Sequence, residues 1–107
     1  MRILINDKSF DLIYGNRFKI RLLGLMGKKN INKGIIFPNC NSIHTFFMKE
    51  DIDVLMIDKN LLIKYIYPSL KKNKILFKNG IKYIIELPKN TINNQQIKIN
   101  NKITIIK

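Results

Sequence analysis

Apolar positions along this chain come in short bursts rich in Ile, Val, Tyr and Phe, separated by breaks of Asn, Asp and Lys. β-Branched and aromatic side chains fit a pleated, half-buried surface, so the bursts predict strands. Arg2 to Ile5 and Phe10 to Tyr14 are the first two, with Asn6-Asp7-Lys8 as a turn between them. Gly34 to Phe37 is a short third strand, ended by Pro38. Ile43 to Met48 follows, and a period of two puts His44, Phe46 and Met48 on one face and Ile43, Thr45 and Phe47 on the other. Both faces carry apolar residues, so this segment reads as a central strand with His44 turned inward. Asp53 to Ile57 and Leu61 to Tyr67 form a hairpin pattern around Asp58-Lys59-Asn60. Ser69 to Phe77, polar and Lys-rich at its start, reads as a loop with one helical turn. Ile81 to Leu87 is a strand stopped by Pro88, and Pro88-Lys89-Asn90-Thr91 reads as a turn. A last hairpin is predicted from Ile97-Lys98-Ile99, Asn100-Asn101 and Lys102 to Ile106, because Asn tolerates the positive φ that a two-residue turn needs.

One segment has a helical period. From Asn16 to Met26, Phe18, Leu22 and Leu25 recur at helix spacing, Asn16 can cap the first turn, and Gly27 can end the last. Gly24 would let this helix lie close on a sheet. The sum is seven or eight short strands with one clear helix. So many strands with so few crossover helices predict a mainly β (α+β) fold: a compact, mostly antiparallel, barrel-like sheet with one or two short helices. The 107 residues suit a single domain, residues 1–107, without linker or internal repeat.

Composition changes this picture little. The net charge is +13, and such a charge allows a nucleic-acid or anionic-surface partner. Yet seventeen of the twenty cations are Lys, the lysines are dispersed, and Arg is confined to Arg2, Arg17 and Arg21. Arg is the residue of bidentate base and phosphate recognition. The charge therefore reads first as composition bias toward Ile, Lys and Asn, with nucleic acid as an allowed but unfavoured partner and a small molecule or a protein equally open. Cys40 is the single cysteine, so no intrachain disulfide forms, which fits a reducing compartment. No apolar run approaches the length of a membrane span or a signal peptide, and the expectation is a soluble cytoplasmic protein.

Few residues could carry chemistry. Cys40, His44 and Met48 form a soft donor set at spacing four. On a strand that spacing stretches to ~13 Å, so core packing is preferred over a metal site and no cofactor is predicted. His44 has the acid–base range of a general base, with Asp53 as its partner if a turn at Lys49 to Ile52 joins their strands. A structural, hydrogen-bonded histidine is the preferred alternative. Glu86 lies inside an apolar strand, where a charge is costly unless paired; Lys82 and Arg21 are its candidate partners, and a structural ion pair is preferred over a site. No phosphate-cradling glycine loop, nucleophile elbow or paired-carboxylate motif is present. Arg21, His44, Asp53 and Glu86 thus define the candidate pocket, without a catalytic assignment.

Several runs in register resemble one family, domain of unknown function family 192. They are Arg21-Leu22-Leu23-Gly24-Leu25-Met26, then Gly34-Ile35-Ile36-Phe37-Pro38, then Cys40-Asn41-Ser42-Ile43-His44-Thr45-Phe46-Phe47-Met48, then Ile52 to Asp58, then Ile84-Ile85-Glu86-Leu87-Pro88-Lys89-Asn90-Thr91. Order and spacing hold from about Arg17 to Ile106. Two glycines of the family pattern are replaced by Asn90 and Asn100, which keeps access to positive φ. The acid of the family's closing Gly-Asp is lost at Asn101. The resemblance implies a compact, mainly β domain with short helices and implies no reaction. The reading that follows is a small, soluble, non-enzymatic binding or accessory domain; a basic nucleic-acid-associated domain and an enzyme using His44 with Asp53 are the alternatives.

Overall fold

Residues 1–15, 34–46 and 48–106 are described by the computed structural model, and among them nine strands and one short helix form. The strands are β1 (Arg2–Ile5), β2 (Lys8–Tyr14), β3 (Gly34–Pro38), β4 (Ser42–His44), β5 (Ile52–Asp58), β6 (Ile63–Leu70), β7 (Ile75–Phe77), β8 (Ile81–Pro88) and β9 (Ile103–Ile106). The helix, α1, is Thr91–Asn94. The helix expected over Asn16 to Met26, with Arg21 and Gly24, lies outside the described residues.

Seven strands make one curled half-barrel sheet in the order β6-β5-β8-β3-β2-β1-β9. Neighbours run antiparallel except β2 and β3, which pair in parallel. The β1–β2 connection shows the local logic. Asn6 and Asp7 both hold positive φ, 52° and 63°, the geometry of a two-residue type I′ turn, whose twist matches that of the strands it joins.

The period of two sorts the core into two layers. Leu55, Ile57, Ile85, Leu87 and Ile36 pack on one face with Ile3, Ile5, Ile92, Ile97 and Ile103. Val54, Met56, Ile84, Ile35 and Phe37 pack on the other with Met48 and Ile52. β5 and β8 lie inside the sheet and feed both layers, which is why Ile52–Ile57 is buried without interruption. Gly34 is where β3 comes nearest β8: a Cβ there would sit 2.5 Å from the Glu86 carbonyl oxygen and 2.8 and 2.9 Å from Leu87 and Leu12.

The two edge strands meet at one end. Leu62 bridges Lys102; the Ile63 amide donates to the Asn101 carbonyl (3.0 Å), Asn100 to Ile63 (2.7 Å) and Ile103 to Leu61 (2.8 Å). This stitch gives the sheet its barrel-like curl.

Three local expectations change. Ile43 to Met48 is not a central strand: only Ser42–His44 is extended, and it pairs with β7 in a separate two-stranded ribbon. Ile43 and Leu76 face the second core layer, while His44 points away and is exposed. The loop expected over Ser69 to Phe77 has no helical turn; it supplies the end of β6 and all of β7. No hairpin forms at the C-terminal end either. Ile97 to Ile99 is not a strand, and β9 pairs with β1 instead. Asn90 and Asn100 do hold positive φ, 71° and 73°.

Candidate functional site

Asp53 lies in β5 with Leu55 and Ile57, so it points into the first core layer and is 0% exposed. The opposing strand explains its partners. β6 carries Pro68 and then Ser69 at φ 51°, and the β5–β6 register shifts between Ile52 and Val54. Such a bulge frees an amide from the ladder. The Ser69 N–H donates to Asp53 Oδ1 at 2.8 Å. The other oxygen, Oδ2, accepts the Ile92 N–H at 2.7 Å, in the first turn of α1. Asn90, at the N-cap position, makes no side-chain cap, so this distant carboxylate takes that role. Asp53 fastens a strand irregularity and a helix start from the inside.

His44 is elsewhere. It ends β4 on the ribbon that covers the second layer, its ring stacked on Phe46 at 5.4 Å and 27°. The seven-stranded sheet lies between it and Asp53, so the expected His44–Asp53 pair does not assemble. Glu86 is 5% exposed in β8, opposite Ile35 and Val54, hence on the second-layer face and away from Asp53. Arg21 lies outside the described residues. The soft donor set is likewise dispersed: Met48 is buried in the second layer, His44 is exposed, and the Cys40 thiol donates to the Ser42 carbonyl at 3.2 Å. Among the described residues no three His, Cys, Asp or Glu side chains are grouped to hold a metal ion.

Thr45 went unnoticed as a site residue. It is 1% exposed, donates through Oγ1 to the Lys71 carbonyl (2.7 Å) and accepts the Lys74 amide on the same oxygen (2.9 Å). Its own amide donates to the Lys74 carbonyl at 2.9 Å. One hydroxyl thereby holds the β6–β7 connection in place. Its sequence signal is a Thr inside an apolar run, which needs a hydrogen-bond partner once buried.

An open cleft of about 510 Å³ lies on the Asp53 side of the sheet, lined by Ser9, Phe10, Asp11, Leu12, Gly34, Leu87, Pro88 and Thr91. It lies beside Gly34, the first described residue of β3, which pairs with Leu12. Its lining joins the apolar Phe10, Leu12, Leu87 and Pro88 to the Ser9 and Thr91 hydroxyls and the Asp11 carboxylate.

The model of one protein family, DUF192 (Uncharacterized ACR), matches residues 1–105. The chain belongs to the DUF192 family. A UPF0127 protein of Thermococcus sibiricus is similar, 32% identical over 113 residues, covering 94% of this chain and 73% of that protein. Two crystal structures share the fold. A protein of unknown function from Novosphingobium aromaticivorans has a TM-score of 0.85 at 14% identity, over 98% of this chain and 84% of its own. A provisionally assigned transcription regulator from Sinorhizobium meliloti has a TM-score of 0.82 at 15% identity, over 96% and 89%. In this DUF192 chain the two acids of the Ile52 to Asp58 run are both structural. Asp53 holds two buried amides, and Asp58 Oδ1 accepts the Asn60 and Leu62 amides at 2.9 and 3.0 Å to shape the β5–β6 turn. No helix among the described residues is long and apolar enough to cross a membrane.

Proposed function

We propose that this DUF192 chain is a non-enzymatic binding or accessory module whose ligand seat is the cleft between β2 and β8. The cleft itself carries the reading. Its volume falls in the range of small-ligand sites, and its lining sets apolar side chains beside a few polar groups that could orient a ligand. The groups suited to acid–base work are committed elsewhere: Asp53 to two amides, His44 to the outer ribbon. A small molecule with an apolar body and one or two donors toward Asp11, Ser9 and Thr91 fits this lining.

The test is a thermal-shift and ligand-observed NMR screen of the purified chain against small organic molecules. Hits should be lost in Ser9→Trp, which fills the cleft from an exposed position without touching the core. Turnover of a hydrolase or redox substrate panel that His44→Ala abolishes would refute the non-enzymatic reading.

A second reading, a basic nucleic-acid-associated domain, is favoured by the net charge of +13 and by the transcription-regulator assignment of one protein that shares the fold. It predicts binding with a steep salt dependence. No retention of DNA or RNA at low salt would remove it.

A further inference from the structure

The outward face of the β4–β7 ribbon is built unlike the rest of the surface. Ser42 pairs with Phe77, Ile43 with Leu76 and His44 with Ile75. Ile43 and Leu76 pack inward on the second layer, so Phe77, Ile75 and His44 must point outward together. Ile75 is 69% exposed and Phe77 57%, the two largest exposures of large hydrophobic side chains among the described residues. Phe46, stacked on His44, extends the same patch. Water-facing apolar clusters of this kind mark an interaction surface.

The run that carries β7, residues 71–82, has charge of one sign. Lys71, Lys72, Lys74, Lys78 and Lys82 fall within twelve residues that contain no acid. Asp51 is ion-paired to Lys71, and Glu50 is the other acid next to it in sequence. The Lys78 ammonium lies over the Tyr65 ring, 5.0 Å from its centre.

We propose that this ribbon face docks on an anionic lipid surface, with Ile75 and Phe77 entering the interface and the surrounding lysines at the headgroups. Two observations favour lipid over single-stranded nucleic acid. Phe77, His44 and Phe46 offer faces to a base, but Ile75, the most exposed large hydrophobic side chain among the described residues, is aliphatic and offers none. The cations of residues 71–82 are Lys alone, which suits additive attraction to headgroups better than geometric recognition of phosphates and bases. Peripheral docking needs no spanning helix and is independent of any ligand in the β2–β8 cleft.

The experiment is co-sedimentation of the whole chain with vesicles of phosphatidylcholine plus phosphatidylglycerol, and with phosphatidylcholine alone. Binding is expected to the mixed vesicles and not to the neutral ones. Replacing Lys72, Lys74 and Lys78 together by Gln should weaken it about a hundredfold, at roughly one headgroup attraction per lysine. The double variant Ile75→Ser with Phe77→Ser should weaken it about tenfold or more while still melting in one cooperative transition, since both side chains are mostly in water already. Gln at Lys89, Lys98 and Lys102 removes the same charge from exposed positions at the opposite layer and should leave most of the binding. The proposal is overturned if this control triple loses as much as the ribbon triple, if the Ile75/Phe77 variant binds like wild type, or if the chain ignores the mixed vesicles and instead retains an oligothymidylate.

Discussion

Replacing Asp53 by alanine takes away the acceptor of two backbone amides at once, those of Ser69 and Ile92. Neither can turn to a neighbour: Ser69 sits in a bulge of β6, and Ile92 lies in the first turn of α1, where no amide has an intrahelical acceptor. Asp53 is 0% exposed and Ile92 2%, while Ser69 is half-buried. Leaving a buried amide without a partner costs about 1–3 kcal/mol, and the half-buried Ser69 amide, within reach of water, adds less, so the two amount to about 2–4 kcal/mol. Domains of this kind are stable by about 5–15 kcal/mol in total. At about 4–8 °C per kcal/mol for a chain near this size, Asp53→Ala should lower the melting temperature by roughly 10–30 °C. Asp53→Asn keeps one carbonyl oxygen but turns an NH₂ toward the second amide, so it should fall between wild type and alanine. Calorimetry measures both losses, and hydrogen exchange assigns them: the Ser69 and Ile92 amides should lose protection first. An alanine variant that melts within a few degrees of wild type, with both amides still protected, would refute a fastening role and return Asp53 to the list of available functional groups.

Gly34→Ala should cost about 1–3 kcal/mol, because the new Cβ meets a β8 carbonyl oxygen at 2.5 Å and backbone cannot swing aside as a side chain can; chemical denaturation reads it. Thr45→Val keeps the shape but removes a donor and an acceptor from the β6–β7 connection, and should cost about 1–3 kcal/mol with faster exchange at the Lys74 amide. At Asn90, whose φ is 71°, glycine should be neutral to within about 1 kcal/mol, while valine should destabilise by about 1–2 kcal/mol or more, as thermal melts will show.

Much of the sheet was legible because period-two patterning and turn chemistry are local. The Asn6-Asp7 turn, the existence of strand β5 and the positive φ at Asn90 and Asn100 follow from residue type and neighbours alone. The ribbon was not. Ile43 to Phe47 is apolar on both faces, and that pattern says a segment has two apolar sides without saying that both are covered. Its partner β7 was hidden in a Lys-rich stretch whose pairing depends on Thr45, a contact from nearly thirty positions away. The expected His44–Asp53 pair does not form for a related reason. His44 and Asp53 are near in sequence, but a sheet one residue thick separates them. The phase of β5 already held the answer, since Asp53 alternates in step with Leu55 and Ile57. Pro68 inside β6 was the visible sign that an amide nearby would need a partner such as Asp53.

The stitch between residues 61–63 and 100–103 has a consequence for how the chain is made. β1 needs β9 as its outer neighbour, and the curl of the sheet needs the segment just before β9 to reach the start of β6. A nascent chain that has emerged only as far as β8 has its N-terminal hairpin without an outer neighbour and both sheet margins open. Closure therefore waits until Ile106 has cleared the ribosome, and contacts that join residues about a hundred apart form slowly. During that interval the uncovered margins are the segments most exposed to pairing with other chains, so synthesis rate and early chaperone contact should govern the yield of this protein more than its final stability does.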